Sequence, residues 1–422
     1  MCRSLRPTLA GALLGCTILA AAALAQPAPP ALPADPAPLT LAQALDLALA
    51  ANPGIAAARL RPEVARAGID VARQRLNPQL TLEETKETPR DAATLAQEIE
   101  VAGKRRRRIE LAQAQVASGE AEVARAIALT RSRVRRAFYA LAAAERRRAE
   151  AEAVLHLAER TRDAARDRFN AGDVARLDVV QAELAAAQAD NDRESALGAL
   201  ASARADLNTL LARPPAAPLA VRGDLWEGGL ADGVTPEGLA GLARTAVGAS
   251  TEIALLDRGI AEQRAKVALA RADNVPNPTV SGSVTHRSPP DFDWGWRASL
   301  TVAIPIFTHR GAAVTVEERT LAQLEAERRA RAEEIAGAVY GAASAAAAQR
   351  QTVLRYRDQI LPQAEEVERM AEDSYRSGQT GLPALLQAFQ STRDLRLKAI
   401  QAGADYQNAL ADLESAMGAP LP

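Results

Sequence analysis

Cysteine is almost absent from this 422-residue chain, because its two cysteines, Cys2 and Cys16, both lie near the N-terminus. If the first 25 residues are removed, no cysteine is left. The remaining chain then has no disulfide, no cysteine nucleophile and no thiolate-bound metal ion. For a chain that begins after residue 25, the cysteine content therefore excludes a disulfide-stabilised fold, a cysteine nucleophile and a cysteine-ligated metal site.

Histidine, aromatic residues and catalytic motifs are scarce as well. His156, His286 and His309 are far apart in the sequence and lack the spacing of metal ligands. Aromatic residues make up 3% of the chain, and the motifs GxxxxGK[ST], GxGxxG and HExxH are missing. The sequence therefore predicts a protein that is not an enzyme and that binds neither a cofactor nor a metal ion.

An excess of charge of either sign is also missing, because 51 basic residues balance 52 acidic residues. A chain with this balance has no overall field that attracts nucleic acid. We therefore expect no nucleic-acid partner, and any electrostatic function has to be local.

Long apolar runs are confined to the N-terminus. Arg3 and Arg6 precede an apolar run over residues 9–24 and a cleavage pattern that ends at Ala25, which predicts a signal peptide over residues 1–25. The sequence LLGC offers an alternative, cleavage before a lipidated Cys16. Further along there is no apolar stretch of about 18 residues, so a transmembrane helix is not predicted in the mature chain.

The rest of the chain is present in two related copies. Residues 168–183 (RFNAGDVARLDVVQAE) recur as residues 374–389 (SYRSGQTGLPALLQAF) at an offset of 378 − 172 = 206. We predict a Pro/Ala-rich linker over residues 26–38, a first repeat over 39–214, a second linker over 215–234 and a second repeat over 235–422. The same offset pairs Leu155 with Leu361, Asp167 with Asp373, Gln181 with Gln387 and Leu207 with Leu413.

Each repeat is predicted to contain a very long helix. There is no proline between Pro89 and Pro214, so a helix of about 60 residues or more can run from Arg108 to Ala171. A coiled-coil seam is predicted on this helix by the spacing of its larger apolar residues, Val116, Val123, Ile127, Val134, Phe138 and Leu141. Gly172 and Gly378 then end the long helix of each repeat, either as plain hairpin turns or as functional tips.

Two pairs of alternating segments precede the long helices. Residues 279–286 and 294–307 each place apolar side chains on one face and polar side chains on the other. Residues 94–101 do the same in the first repeat, beside a weaker partner at residues 80–86. Such strands have the length of a bilayer crossing, but four strands cannot close into a barrel, so several subunits have to share one.

Candidate membrane-interface anchors flank these strands. Trp294 and Trp296 lie at a strand start, as in the aromatic girdle of a membrane protein. Lys104 and Arg105 belong to the run GKRRRR, where cations at a helix N-terminus oppose the helix dipole. Phosphate headgroups at the inner face of the membrane would stabilise them there.

Together these features resemble the TolC family of outer-membrane efflux proteins over essentially the whole mature chain. The resemblance implies a mainly α fold with a membrane β-barrel: a long antiparallel α-helical barrel plus four strands per subunit of a 12-stranded trimeric β-barrel. It implies a homotrimer in the outer membrane of a Gram-negative bacterium, with the helical part in the periplasm. It also implies, as partners, outer-membrane lipid, a periplasmic adaptor (membrane fusion) protein and an inner-membrane RND pump.

The resemblance also assigns candidate sites. The segment QEIEVAGKRRRR, residues 97–108, is similar to one in the cobalt-zinc-cadmium resistance branch, which implies a passive exit duct for heavy-metal cations, with drugs or secreted products as the alternative cargo. Ala384 and Gln387 stand where some relatives have entrance aspartates, and Asp178 has that register in the first repeat, so Asp178 and Gln387 are the candidate gate. The implied adaptor-docking tips are Asn170, Ala171, Gly172, Asp173, Ser377, Gly378, Gln379 and Thr380.

A second class of function is left open at this point. A secreted coiled-coil structural protein or adhesin would have the same long helices, with the strands as caps of helical rods. The two hypotheses differ in whether lipid or protein covers the apolar strand faces.

Overall fold

A computed structural model describes residues 38–228, 236–288, 290, 292–307 and 311–418. The predicted signal peptide, Cys16, His309 and most of the first linker lie outside these ranges. The elements of the first repeat are α1 (Leu41–Ala51), α2 (Pro53–Arg73), β1 (Gln79–Glu84), β2 (Asp91–Glu98), α3 (Lys104–Asn170) and α4 (Arg176–Leu210).

The second repeat has the same order of elements. Its elements are α5 (Pro236–Ala249), α6 (Thr251–Asp273), β3 (Pro278–Ser288), β4 (Phe292–Val302), α7 (Gly311–Arg355), a π-helical segment (Tyr356–Ile360), α8 (Leu361–Arg376) and α9 (Leu382–Met417). Two helices precede the strands in each repeat, α1 and α2 in the first and α5 and α6 in the second. Asn52 divides the first pair, since its side chain caps α2 and is followed by Pro53 at the first helical turn. Ser250 caps α6 in the corresponding way.

The predicted long helix is confirmed by α3, which has 67 residues and is therefore about 100 Å long. Its counterpart runs from Gly311 to Arg376 and is interrupted by the π-helical segment, which lies between α7 and α8. Pro362 follows that segment at the position where the first repeat has His156. Because proline has no N–H to donate, the helix has to widen its hydrogen-bonding pattern there, and the two repeats differ at this point.

Helix α3 is the central packing element, in contact with α2, α4, α6 and α9. Val134, Phe138 and Leu141 of the predicted seam are fully buried, whereas Val116 and Val123 are half-buried. Alanine fills many of the remaining buried positions, for example Ala142, Ala143 and Ala144. Such small side chains let neighbouring helix backbones approach closely.

The segment after α4 crosses the helices about halfway along their length. Leu225 is fully buried, and its Cβ would lie 2.8 Å from a Cβ added at Gly403, so only glycine fits at that position of α9. Tyr406 donates from its hydroxyl to the Gly228 carbonyl at 2.5 Å, and Gln407 donates to the Glu227 carbonyl at 2.8 Å. These contacts hold the predicted joint between the repeats against the last helix.

The four strands form one antiparallel sheet in the order β1-β2-β3-β4. Strands β1 and β2 come from the first repeat, and β3 and β4 come from the second, so the β2–β3 pairing joins the repeats. The sheet lies beside the start of α3. The turns after α3 and α8 are consequently about 100 Å from the sheet, at the far end of the long helices.

Candidate functional site

One face of the sheet is apolar and exposed. Val284 lies between Ala93 and Trp296 in one row of the sheet. Four residues away along the same strands, Val280 is paired with Leu300 on this face. Trp296 is 83% exposed and Leu300 is 68% exposed, although both are large apolar side chains. The exposed apolar residues of the sheet are Leu80, Leu82, Leu95, Val280, Val284, Trp294, Trp296, Leu300 and Val302.

The opposite face of the sheet is polar. Ser281 and Ser299 are directly paired, and their hydroxyl oxygens lie 2.7 Å apart. Thr94, Ser283 and Arg297 form the next row on this face. A sheet on a soluble core would bury its apolar face, but here the apolar face is the exposed one. The strand alternation predicted from the sequence is therefore confirmed, and none of the described residues covers its apolar side.

Strand β4 is shorter at its end than the sequence predicts. The prediction ran to Phe307, whereas the strand is Phe292–Val302. Pro305 has no N–H for a ladder hydrogen bond, which is the physical reason for the early end. Ile304, Ile306 and Phe307 follow as exposed apolar residues, with Phe307 at 95% exposure.

A polar cluster closes the loop end of the apolar face. Arg287 donates to both carboxylate oxygens of Asp91, from Nε at 2.6 Å and from Nη2 at 2.7 Å. His286 stacks on Trp294, with ring centres 4.4 Å apart, and its Nδ1 lies 3.1 Å from Asp91 Oδ2. Trp294 and Trp296 are thus at the loop end of the strands, where the sequence predicts interface anchors; this role stays a prediction.

Lys104 differs from its expected position at the surface. Its side chain is 7% exposed, and Nζ donates to Asn277 Oδ1 at 2.8 Å. Asn277 in turn donates from Nδ2 to Glu98 Oε1 at 2.7 Å. The expectation that Lys104 contacts headgroups is corrected accordingly, because the ammonium is turned inward to join the two strand pairs to α3.

Arg105 is half-buried and stays a predicted interface anchor. Its Nε donates to the Arg73 carbonyl at 2.7 Å, which ties the end of α2 to the start of α3. Arg108 is partly buried and binds Glu100 through both terminal nitrogens, at 2.5 and 3.0 Å. Part of the basic run is therefore compensated within the chain, and this resolves some of the conflict with the helix dipole.

The two predicted turns have the same backbone geometry. Gly172 has a φ of 84° and Gly378 has a φ of 76°, which L residues other than glycine adopt at a cost. In each turn the glycine N–H donates to the carbonyl three residues earlier, and the next residue donates five residues back. The residues of both predicted tips are exposed, with Asn170, Ala171, Gly172 and Asp173 in one and Ser377, Gly378, Gln379 and Thr380 in the other.

A small core joins the two hairpins just behind these turns. It contains Ala165 of α3, Ala182 of α4, Tyr375 of α8, and Leu382 and Leu385 of α9. Every one of the four helices that meet at this end contributes a side chain. The two turns are therefore held side by side by the chain itself.

The predicted gate residues lie one to two helical turns behind the turns. Asp178 is half-buried in the first turn of α4, and Gln387 is exposed on α9. Sequence reasoning missed the ion pairs that fix α9 further along. Arg396 binds Glu150 of α3 at 3.3 Å and Glu368 of α8 at 2.5 Å, and no motif marks this triad.

The two histidines in the described ranges, His156 and His286, are not brought together. His156 is exposed on α3 with Glu159 3.7 Å away, and His286 lies in the sheet. Among the residues that the structure describes, no group of three or more His, Cys, Asp or Glu side chains is arranged to hold a metal ion.

In the same described ranges no single helix is long and apolar enough to cross a membrane. The bent pair α1 and α2, with 45° between its two helices, meets the limits of length and composition when the two are taken together.

The sequence model of the outer membrane efflux protein (OEP) family matches residues 44–213 and 248–419. The chain belongs to this family. Comparison with curated protein sequences gives no significant match.

Three solved channels illustrate the similarity of fold of this OEP chain. CusC is 16% identical with a TM-score of 0.73, covering 90% of this chain and 92% of CusC. VceC from Vibrio cholerae is 18% identical with a TM-score of 0.72, covering 90% of this chain and 96% of VceC. The open state of MtrE from Neisseria gonorrhoeae is 20% identical with a TM-score of 0.72, covering 90% and 89%.

Family membership decides between the two classes of function that the sequence left open. The OEP chain is an outer-membrane efflux channel of the TolC family, mostly helical with four antiparallel strands, and not a secreted adhesin. This family is one of passive ducts rather than of enzymes. The predicted family is confirmed, and the predicted fold class is confirmed as mostly helical with four antiparallel strands per chain.

Proposed function

We propose that three copies of this chain close their sheets into one 12-stranded β-barrel in the outer membrane of a Gram-negative bacterium. The observation that carries the proposal is the sheet, with its exposed apolar face, its polar face and its two edges β1 and β4. A sheet edge cannot face lipid, because its backbone groups would lack hydrogen-bond partners. Pairing β4 of one copy with β1 of the next satisfies both edges and puts the polar face around a lumen.

The long helices then extend about 100 Å into the periplasm. At their ends the exposed turns dock to a periplasmic adaptor protein, which connects the duct to an inner-membrane RND pump. Two turns per chain give six adaptor contacts per trimer. The support is the shared geometry of the turns around Gly172 and Gly378 and their exposure at the end furthest from the sheet. Energy for transport comes from the pump, since the sequence contains no nucleotide-binding motif.

Asp178 and Gln387 are the proposed entrance gate. Both lie near the turns on the helices that return from them, α4 and α9. A carboxylate at this place can attract or retain a cation, whereas the amide of Gln387 cannot. Asp178 is therefore the residue of the pair on which charge selection at the entrance would depend.

The proposed cargo is a heavy-metal cation, and export of drugs or secreted products is the alternative. The support for a metal is the segment over residues 97–108, which resembles the cobalt-zinc-cadmium resistance branch. The solved channels share only the fold at this level of identity and do not distinguish the two. Growth of a deletion strain on cobalt, zinc and cadmium, compared with growth on drugs, tests the cargo directly.

The experiment that tests the duct uses the two faces of β4. Leu300→Arg places a cation on the apolar face, which costs about 2–4 kcal/mol per subunit at mid-bilayer. Ser299→Arg is the matched control, because the same side chain then enters the polar face. We expect Leu300→Arg to lose heat-modifiable trimers from the outer-membrane fraction and Ser299→Arg to retain them. Equal behaviour of the two variants would count against the barrel.

A further inference from the structure

We propose that Arg297 creates a local positive potential at mid-height of the polar face of the sheet, which attracts small anions and repels small cations. The inference rests on the proposed function, because it takes this face as the wall of the lumen. It concerns the membrane part of the duct and not the gate; a cationic cargo would pass this row against a local repulsion of the same size.

The position of Arg297 follows from the strand register. It lies opposite Ser283 of β3, and the same row continues to Thr94 of β2 and Thr81 of β1. Its row neighbours are thus small hydroxyl side chains without charge. Arg297 is exposed, and it is the single lysine or arginine that β1–β4 direct to the polar face, because Arg287 is turned to Asp91.

Arg297 has no compensating carboxylate close by. Among the described residues no ion pair or hydrogen bond is formed by its guanidinium, in contrast to the bidentate pair of Arg287. The carboxylates on the same face are Asp293, Glu98 and Glu83. The backbone of Asp293 lies four residues along the strand, about 13 Å from that of Arg297. The backbones of Glu98 and Glu83 lie about 16 Å from that of Arg297, across the sheet. These distances exceed the Debye length of about 10 Å at 0.1 M salt, so the charge of Arg297 acts locally.

The size of the effect follows from Coulomb's law. A side chain two residues along the strand is about 7 Å from Arg297. At this distance a unit charge in water changes the local concentration of a monovalent ion about two- to three-fold at low salt. An anion and a cation are affected in opposite directions, so their ratio changes about five-fold.

A cysteine probe measures this ratio. We introduce Ser299→Cys in the trimer reconstituted in lipid vesicles and measure its modification by an anionic and a cationic methanethiosulfonate, with position 299 quantified by peptide mass spectrometry. Both reagents attack the same thiolate, so a change in thiol pKa cancels in the ratio of the two rates. We expect Arg297→Gln to lower the anion-to-cation ratio about five-fold at 10 mM salt, with the difference shrinking at 500 mM. The matched control is Ser283→Gln, which adds bulk in the same row without charge and should leave the ratio unchanged.

Two results would overturn the inference. The first is an unchanged ratio in Arg297→Gln. The second is a rise of the ratio in Glu83→Gln, with the wild-type ratio restored in the double variant, because Arg297 would then be neutralised by Glu83 of a neighbouring copy. No effect of Glu83→Gln supports an unpaired Arg297.

Failure of the proposed function gives a different result. If Leu300→Cys reacts with both charged reagents in vesicles and Ser299→Cys does not, the polar face is not the lumen wall. If Ser299→Cys reacts and Leu300→Cys does not, the assignment of the faces holds, and the ratio then tests Arg297 alone.

Discussion

The guanidinium of Arg168, at the end of α3, lies over the ring of Tyr375, at the end of α8, with Cζ 5.2 Å from the ring centre. The two residues belong to different repeats and lie 207 positions apart in the sequence. Tyr375 is 8% exposed and packs with Leu382 and Leu385. Tyr375 is therefore one of the side chains that hold the two turns side by side.

The ring of Tyr375 should matter more than its hydroxyl. Tyr375→Ala removes a buried aromatic side chain and should destabilise this end of the helices by about 3–5 kcal/mol. Arg168→Ala removes the cation–π contact and should cost about 0.5–1 kcal/mol. Limited proteolysis at the two turns, together with thermal unfolding, measures both effects. Tyr375→Phe is the control and should behave as wild type; equal damage by Tyr375→Phe and Tyr375→Ala would contradict the packing role.

The turn glycines should tolerate asparagine but not valine. A Cβ at Gly172 or Gly378 meets no atom within 4 Å, so only the positive φ opposes a side chain. Asparagine adopts this conformation readily, whereas valine should cost about 1–2 kcal/mol at each turn. We expect Gly172→Val and Gly378→Val to keep their trimers on semi-native gels and to lose the resistance to heavy metals that the duct confers, while the Asn variants retain both. Loss of the trimers in the Val variants would show that the glycines serve assembly and not docking.

Lys104 should contribute to stability through its buried hydrogen bond. Lys104→Met leaves the Asn277 side chain without the ammonium donor at 2.8 Å, which should lower the free energy of unfolding by about 1–3 kcal/mol. Arg106→Met is the matched control, since it removes a neighbouring cation whose side chain is 78% exposed and should cost less than about 1 kcal/mol. The temperature at which the trimer dissociates measures the difference. Equal shifts for the two variants would mean that the Lys104 hydrogen bond adds nothing.

Glu145 should make stability depend on pH. Burial on α3 beneath the crossing segment raises the pKa of Glu145 above its ordinary 4.5, although a hydrogen bond from the Val221 backbone partly opposes this. The folded state then holds the proton more tightly than the unfolded state. Its contribution to stability is therefore present at low pH and is lost as the pH rises from about 4.5 through the raised pKa. Relative to wild type, Glu145→Gln should gain thermal stability between pH 4 and pH 7; a constant difference across this range would contradict the shift.

Much of the fold could be predicted from local patterns. The proline-free stretch before Pro214 predicts α3 closely, and the alternation around Val284 and Leu300 predicts which side chains share a face. Helix boundaries inside the repeats were harder, because Asn52 and Ser250 act as caps only when the following backbone turns into a helix. The π-helical segment next to Pro362 was missed for a related reason, since a proline either breaks or widens a helix depending on its packing.

The site was predicted less completely than the fold. The turns around Gly172 and Gly378 could be found because the two repeats are similar in sequence there, so that each turn supports the prediction of the other. The inward turn of Lys104 could not, since Asn277 lies 173 positions away in the sequence. The pairing of Arg168 with Tyr375 was equally out of reach for a pattern of neighbouring residues.

The sequence by itself determined the two repeats, the long helices and the two-faced strands, because periodicity and the positions of proline and glycine act over short distances along the chain. The tertiary structure alone decided which charges are paired and which are free. Arg287 finds Asp91 while Arg297 stands among hydroxyl groups, and this difference depends on the register between strands that are far apart in the chain.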